Sequence, residues 1–175
     1  MTTATADNSA SEIVLSTEQQ NFIGKILNPF IFRFFMLFKL PLGLFSGMRV
    51  RELTGTKCVT TVPYGWMTRN PFKSTYFAAL SMAAELSNGA MALMAVYKRN
   101  PSVAVIIVGM ESEFIKMAKD LTTFTCEDGH KLFEAVEETT RTGETAEATL
   151  TTIGRSENGT EVARFKFTWS FKRRG

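Results

Sequence analysis

Apolar residues recur three and four apart through Phe22, Ile23, Ile26 and Leu27, which predicts an amphipathic helix. Ser16 or Thr17 caps it, with Gln19 or Gln20 three residues on. Pro29 lies inside the pattern and predicts a break, followed by a second helix near 30–39 that Pro41 and Gly43 end. "GMRVRELTGTKCVTTVPYG" reads as two strands joined at Thr54-Gly55. "SVAVIIVGMESEFIKM" and "DLTTFTCEDG" are further strands, and "HKLFEAVEETTRTG" is a short helix with Leu132, Phe133 and Val136 on one side. At the end of the chain Phe165, Phe167, Trp169 and Phe171 alternate with polar residues. That is the period of a strand with one wet face, paired through Asn158-Gly159 with "ETAEATLTTIGR".

Between these elements, polarity almost vanishes. From Ser74 to Tyr97 the one charged residue is Glu85. Residues 74–88 read as a helix apolar on every side, which must therefore be covered on every side. The following "MALMAVYKRN" reads as a strand, with a turn at Asn100-Pro101. Late hairpins imply a mainly antiparallel sheet, and the small residues Ala78, Ala79, Ser81, Ala83 and Ala84 let such a sheet curve around the helix. The expectation is an α+β chain: a lead-in without structure over 1–16, a helical extension over 17–44, and one domain over 45–175. The extension packs on the domain or on a partner chain, with a membrane surface as the alternative.

Composition narrows the chemistry. A net charge of +3 falls well short of a nucleic-acid footprint. Lys25, Arg33 and Lys39 interrupt the Phe-rich stretch, and Glu85, Asn88 and Gly89 interrupt the central one, so no transmembrane segment is expected. With no basic start followed by an apolar run, the N-terminus predicts a cytoplasmic protein. Cys58 and Cys126 read as a reduced, buried pair. His130 is the only histidine and sits at a helix start, so a protein-built metal site is not expected.

A carboxylate in apolar surroundings must be paired, protonated or used. The structural alternative for Glu85 is an ion pair with Arg51 or Arg69, or a bond to the Asn70 amide. The stretch Asn70–Gly89, however, resembles the PaaI-like branch of the hot-dog acyl-CoA thioesterases. That branch has an Asn, His-Gly-Gly six positions on, an acid nine further, and then a Gly. Here these positions hold Asn70, then Tyr76-Phe77-Ala78, Glu85 and Gly89, so the His-Gly-Gly half is replaced. The resemblance covers roughly 45–173 and implies a hot-dog fold, a curved antiparallel sheet wrapped around one long helix, with an N-terminal helical extension added here.

It also implies roles. Glu85 is the base or nucleophile, Asn70 its polar assistant, and the Phe77 backbone N–H the oxyanion donor. Tyr76 lines the acyl path, while Lys73 and Arg99, with Lys98, can face the phosphates of CoA. No cofactor is implied beyond the CoA of an acyl-CoA substrate. The partner is a second copy, a homodimer or a tetramer, joined edge to edge with each site built from both chains. Hydroxyacyl-thioester dehydratases of this fold place a His where Asn70 stands, which argues against that reaction. The competing reading is a non-catalytic hot-dog module that binds acyl-CoA or lipid.

Overall fold

The computed structural model describes residues 13–175, so most of the expected lead-in lies outside the described residues. Three helices come first: α1 (Thr17–Leu27), α2 (Pro29–Lys39) and α3 (Pro41–Phe45). Strands β1 (Arg49–Leu53) and β2 (Cys58–Val62) precede the long helix α4 (Phe77–Val96). Then follow β3 (Val103–Phe114), β4 (Thr122–Cys126), α5 (Gly129–Thr142), β5 (Ala146–Arg155) and β6 (Glu161–Arg173). The strands form one six-stranded sheet in the order β1-β2-β4-β5-β6-β3, with every pair antiparallel. The sheet wraps α4, which is the expected hot-dog architecture.

Local chemistry explains most boundaries. Ser16 and Gln19 form a reciprocal capping box at α1, and the Asn28 side chain accepts from the N–H groups of Phe30 and Ile31 to start α2. Pro29 occupies the first position of α2, where its missing N–H has no helical partner to lose. The chain bends by 87° between the two helices. α2 ends at Lys39, just ahead of Pro41, as expected, but Pro41 then opens a further short helix, α3, in the same first-turn role, and Gly43 is buried there against Met36 and Met48.

The larger correction concerns "MALMAVYKRN". It is not a strand: α4 runs on to Val96. Ala, Leu and Met are strong helix formers, and the stretch holds a single β-branched residue, Val96. Met91 and Met94 recur three apart, a helical spacing, and the buried residues of α4 run from Ala79 to Ala95. By length and composition α4 could cross a bilayer, but thirteen of its residues are buried within the protein.

Polar side chains fix α4 in its sheath. Thr60 donates to the Ala83 carbonyl at 2.7 Å, and Ser87 bridges the Ala84 carbonyl and Thr152 Oγ1. Asn88, fully buried, donates to the Ala84 carbonyl and to Ser87. Cys126 lies opposite Cys58 in the β2–β4 register; both thiols are free and buried, as expected. Desolvation pushes the Cys126 thiol up to about 12 and the Cys58 thiol higher still, so both stay protonated. The extension docks at the far end of α4. Gln19 donates to the Met94 carbonyl at 3.2 Å, Phe22 packs on Tyr97, and Lys98 pairs with Glu18.

Candidate functional site

Glu85 stands in the middle of α4, where the helix passes beneath the α1–α2 elbow. Its carboxylate faces an apolar chamber of about 340 Å³. Phe22 and Ile26 of α1, Phe32 and Phe35 of α2, and Val105 and Trp169 of the sheet form most of the wall, with Lys39 contributing a cation. No hydrogen bond or ion pair to Glu85 forms among the described residues. Arg51 donates instead to Thr61, and Asn70 bonds within its own loop, so the pairings that would make Glu85 a structural acid do not form. Burial alone pushes the Glu85 carboxyl above the ordinary carboxylate range.

Gly89, one turn on, explains how a carboxylate fits there. A Cβ on residue 89 would lie 2.5 Å from Glu85 Oε1 and 3.5 Å from the Trp169 ring. The missing side chain is the space the carboxylate occupies. Trp169 itself is buried, and its Nε1 has no hydrogen-bond partner. An acceptor-rich carboxylate and an unsatisfied indole N–H thus belong to side chains lining the same chamber.

The other residues expected at the site gather elsewhere. Asn70 Oδ1 accepts from the N–H groups of Phe72 and Ser74, and its amide donates to Ser74 Oγ at 3.1 Å. The side chain therefore shapes the 70–74 turn. In that turn Lys73 adopts a left-handed φ of 58° and is exposed. Tyr76 caps α4 by position only, with no side-chain hydrogen bond, and its ring packs edge-on against Phe77. The Phe77 and Ala78 N–H groups make no hydrogen bond among the described residues, so the positive end of α4 is open. Asn70, Tyr76 and Phe77 line one cleft of about 580 Å³ together with Leu80 and Phe114.

Within one chain these groups do not meet Glu85. Eight residues of α4 separate Phe77 from Glu85, about 12 Å along the axis. Arg99 is more distant: its guanidinium holds the Ala95 carbonyl and Glu137, tying the end of α4 to α5. Lys98 is engaged with Glu18. Sequence reasoning missed Trp169 and the α1–α2 wall as neighbours of Glu85. Gly89, four residues after a lone acid, was the one local sign of a packed carboxylate. Among the described residues no three His, Cys, Asp or Glu side chains gather closely enough to hold a metal ion.

Residues 29–171 match a family model described as a domain of unknown function, DUF4442. No curated protein matches the sequence. Among solved structures, a Pseudomonas aeruginosa protein described as a "probable thioesterase" superposes with a TM-score of 0.70 at 23% identity, covering 81% of this chain and 93% of its own. A protein of unknown function from Chlorobaculum tepidum superposes at 0.69 with 15% identity, covering 85% of this chain and 99% of its own. A Haemophilus influenzae thioesterase superposes at 0.57 with 11% identity over 79% of this chain and 87% of its own. At such identities the likeness establishes the shared fold.

Proposed function

We propose, from the premise that this chain belongs to the DUF4442 family and is a thioesterase-like hot-dog protein, that it hydrolyses acyl-CoA thioesters with Glu85 as base or nucleophile. The observation that carries this reading is the unpartnered carboxylate in an apolar chamber. A structural acid would be paired, and a carboxyl with a raised pKa is suited to take a proton from water near neutral pH. The open N-terminus of α4 offers the Phe77 N–H to a developing oxyanion, with Asn70 beside it. Tyr76 lines the approach to that N–H, Lys73 stands exposed in the turn between Phe72 and Ser74, and Lys73 and Arg99 are the cations that would face the CoA phosphates.

Because Glu85 and the α4 start lie about 12 Å apart, a working site takes them from two chains. A homodimer joined through β3, one of the two edge strands of the sheet, supplies that arrangement, and a tetramer would be a pair of such dimers. No cofactor enters beyond the CoA of the substrate, and the setting is cytoplasmic.

The second reading, an acyl-CoA or lipid-binding module without turnover, is favoured by two details. The Asn70 side chain is already occupied by its own turn, and the Tyr76 and Phe77 rings crowd the helix start. Thiol release from a panel of short, long and aromatic acyl-CoAs separates the two. The hydrolase reading expects turnover that falls by about 10²–10⁴-fold in Glu85→Ala, the usual worth of a general base. Saturable acyl-CoA binding by both proteins with no thiol release would establish the binding module instead.

A further inference from the structure

The outer face of the α1–α2 elbow is unlike the rest of the surface. Phe30, Phe34 and Phe38 recur one turn apart on α2 and are 83%, 67% and 66% exposed. Leu42 and Phe45 on α3 continue the apolar surface, and Phe34 and Phe38 pack on one another with ring centres 4.9 Å apart. Meanwhile Phe32 and Met36, on the opposite side of α2, are buried. The helix is thus apolar on both sides, one facing the protein and one facing outward. A soluble chain rarely leaves so large a contiguous apolar patch uncovered.

Charge decides what covers it. Between Glu18 and Glu52 there is no acidic residue, whereas Lys25, Arg33, Lys39, Arg49 and Arg51 all fall in that interval and are exposed. Arg33, with Arg49 and Arg51, lines one groove with Phe30, and these stems are long enough to lie along the apolar face and carry the charge beyond. A second copy docked here by two-fold symmetry would set these cations against their own images with no acid to offset them. A bilayer bearing anionic headgroups matches both properties, taking the rings into the acyl boundary and the cations onto phosphate.

We infer that α2 and α3 form an interfacial docking surface for an anionic lipid bilayer. Phe30, Phe34, Phe38, Leu42 and Phe45 insert, and Lys25 and Arg33 contact the headgroups. The inner residues of the same helix, Phe32 and Phe35, roof the Glu85 chamber, so docking brings the chamber wall to the lipid surface. The inference is independent of whether Glu85 turns over a substrate.

Co-sedimentation of the full chain with phosphatidylcholine vesicles, with and without phosphatidylglycerol, tests it. Binding is expected with the anionic vesicles and is expected to weaken as salt rises from about 0.1 M to about 1 M, where the screening length shrinks from about 10 Å to about 3 Å. Partition should drop by about ten-fold or more in Phe30→Ser/Phe34→Ser/Phe38→Ser and in Lys25→Gln/Arg33→Gln. These side chains are exposed, so both variants should keep the wild-type Tm and confirm that the fold is intact. Absence of vesicle binding by wild type at low salt overturns the inference. So does binding undiminished in the phenylalanine variant, or a loss of oligomeric mass in that variant without any loss of lipid binding, which would assign the face to a second copy.

Discussion

Glu85 is the residue on which stability and chemistry pull in opposite directions. Its carboxyl is desolvated without a compensating partner, so the folded protein holds the proton to a higher pH than the unfolded chain does. The associated stability is therefore fully present below the ordinary carboxylate range and is lost as pH rises through the raised folded value. Glu85→Gln keeps the shape and removes the charge. Its Tm is expected to exceed that of wild type at neutral pH and to converge with it in acid, as a pH series of thermal melts would show. In the same series, thiol release by wild type should climb with pH to a plateau displaced above the ordinary carboxylate range. Glu85 was legible in the sequence because one charge stood alone in a long apolar run. Its relation to Asn70 was legible only as spacing, since a count along the chain does not reveal that Asn70 lies in the turn before α4 and Glu85 eight positions into it.

At the scale of the element, α4 carries both the misreading and its lesson. Its first half reads as a helix from all-round apolarity and its second half as a strand, although Met91 and Met94, like Ala92 and Ala95, recur three apart, which is a helical spacing. Propensity held the better signal, for Ala, Leu and Met favour helix and only Val96 is β-branched. Hairpins such as β5–β6 were readable because an Asn-Gly turn and a period of two agree locally. Within α4, Gly89 departs from propensity for a local reason. Gly89→Ala gains up to about 1 kcal/mol of helix propensity yet fills the space of the Glu85 carboxylate. The expected outcome is a melting temperature close to wild type with loss of Glu85-dependent turnover, read by melts and thiol release on one preparation. Gly129, at the start of α5, differs: a Cβ there would fall on the Gly55 carbonyl and the Thr56 backbone, which cannot rotate away. Gly129→Ala should cost about 1–3 kcal/mol by denaturant titration, the usual range for overpacking.

For the whole molecule, the order β1-β2-β4-β5-β6-β3 leaves β3 with one free edge along its 12 residues. That order was not legible in the sequence, because β3 finds β6 with partners such as Val103 and Arg173 about a third of the chain or more apart, and no local pattern encodes such a pairing. Ile106, Val108 and Met110 are exposed on this strand, and β3 is bulged near Val108. A long edge with apolar side chains invites pairing with another edge, and lysines discourage it. Ile106→Lys/Met110→Lys is expected to convert the proposed dimer to a monomer in analytical ultracentrifugation. It should also abolish thiol release while leaving Glu85 untouched, because one chain alone cannot bring the α4 start to that carboxylate.

The two tryptophans occupy opposite environments: Trp66 is 75% exposed and Trp169 6%. Replacing Trp66 with Phe would therefore leave a single tryptophan, set in the wall beside Glu85. Its emission, shifted and quenched by whatever enters or ionises next to the indole, would make the protein its own optical gauge of chamber occupancy, with no label attached and no product to detect.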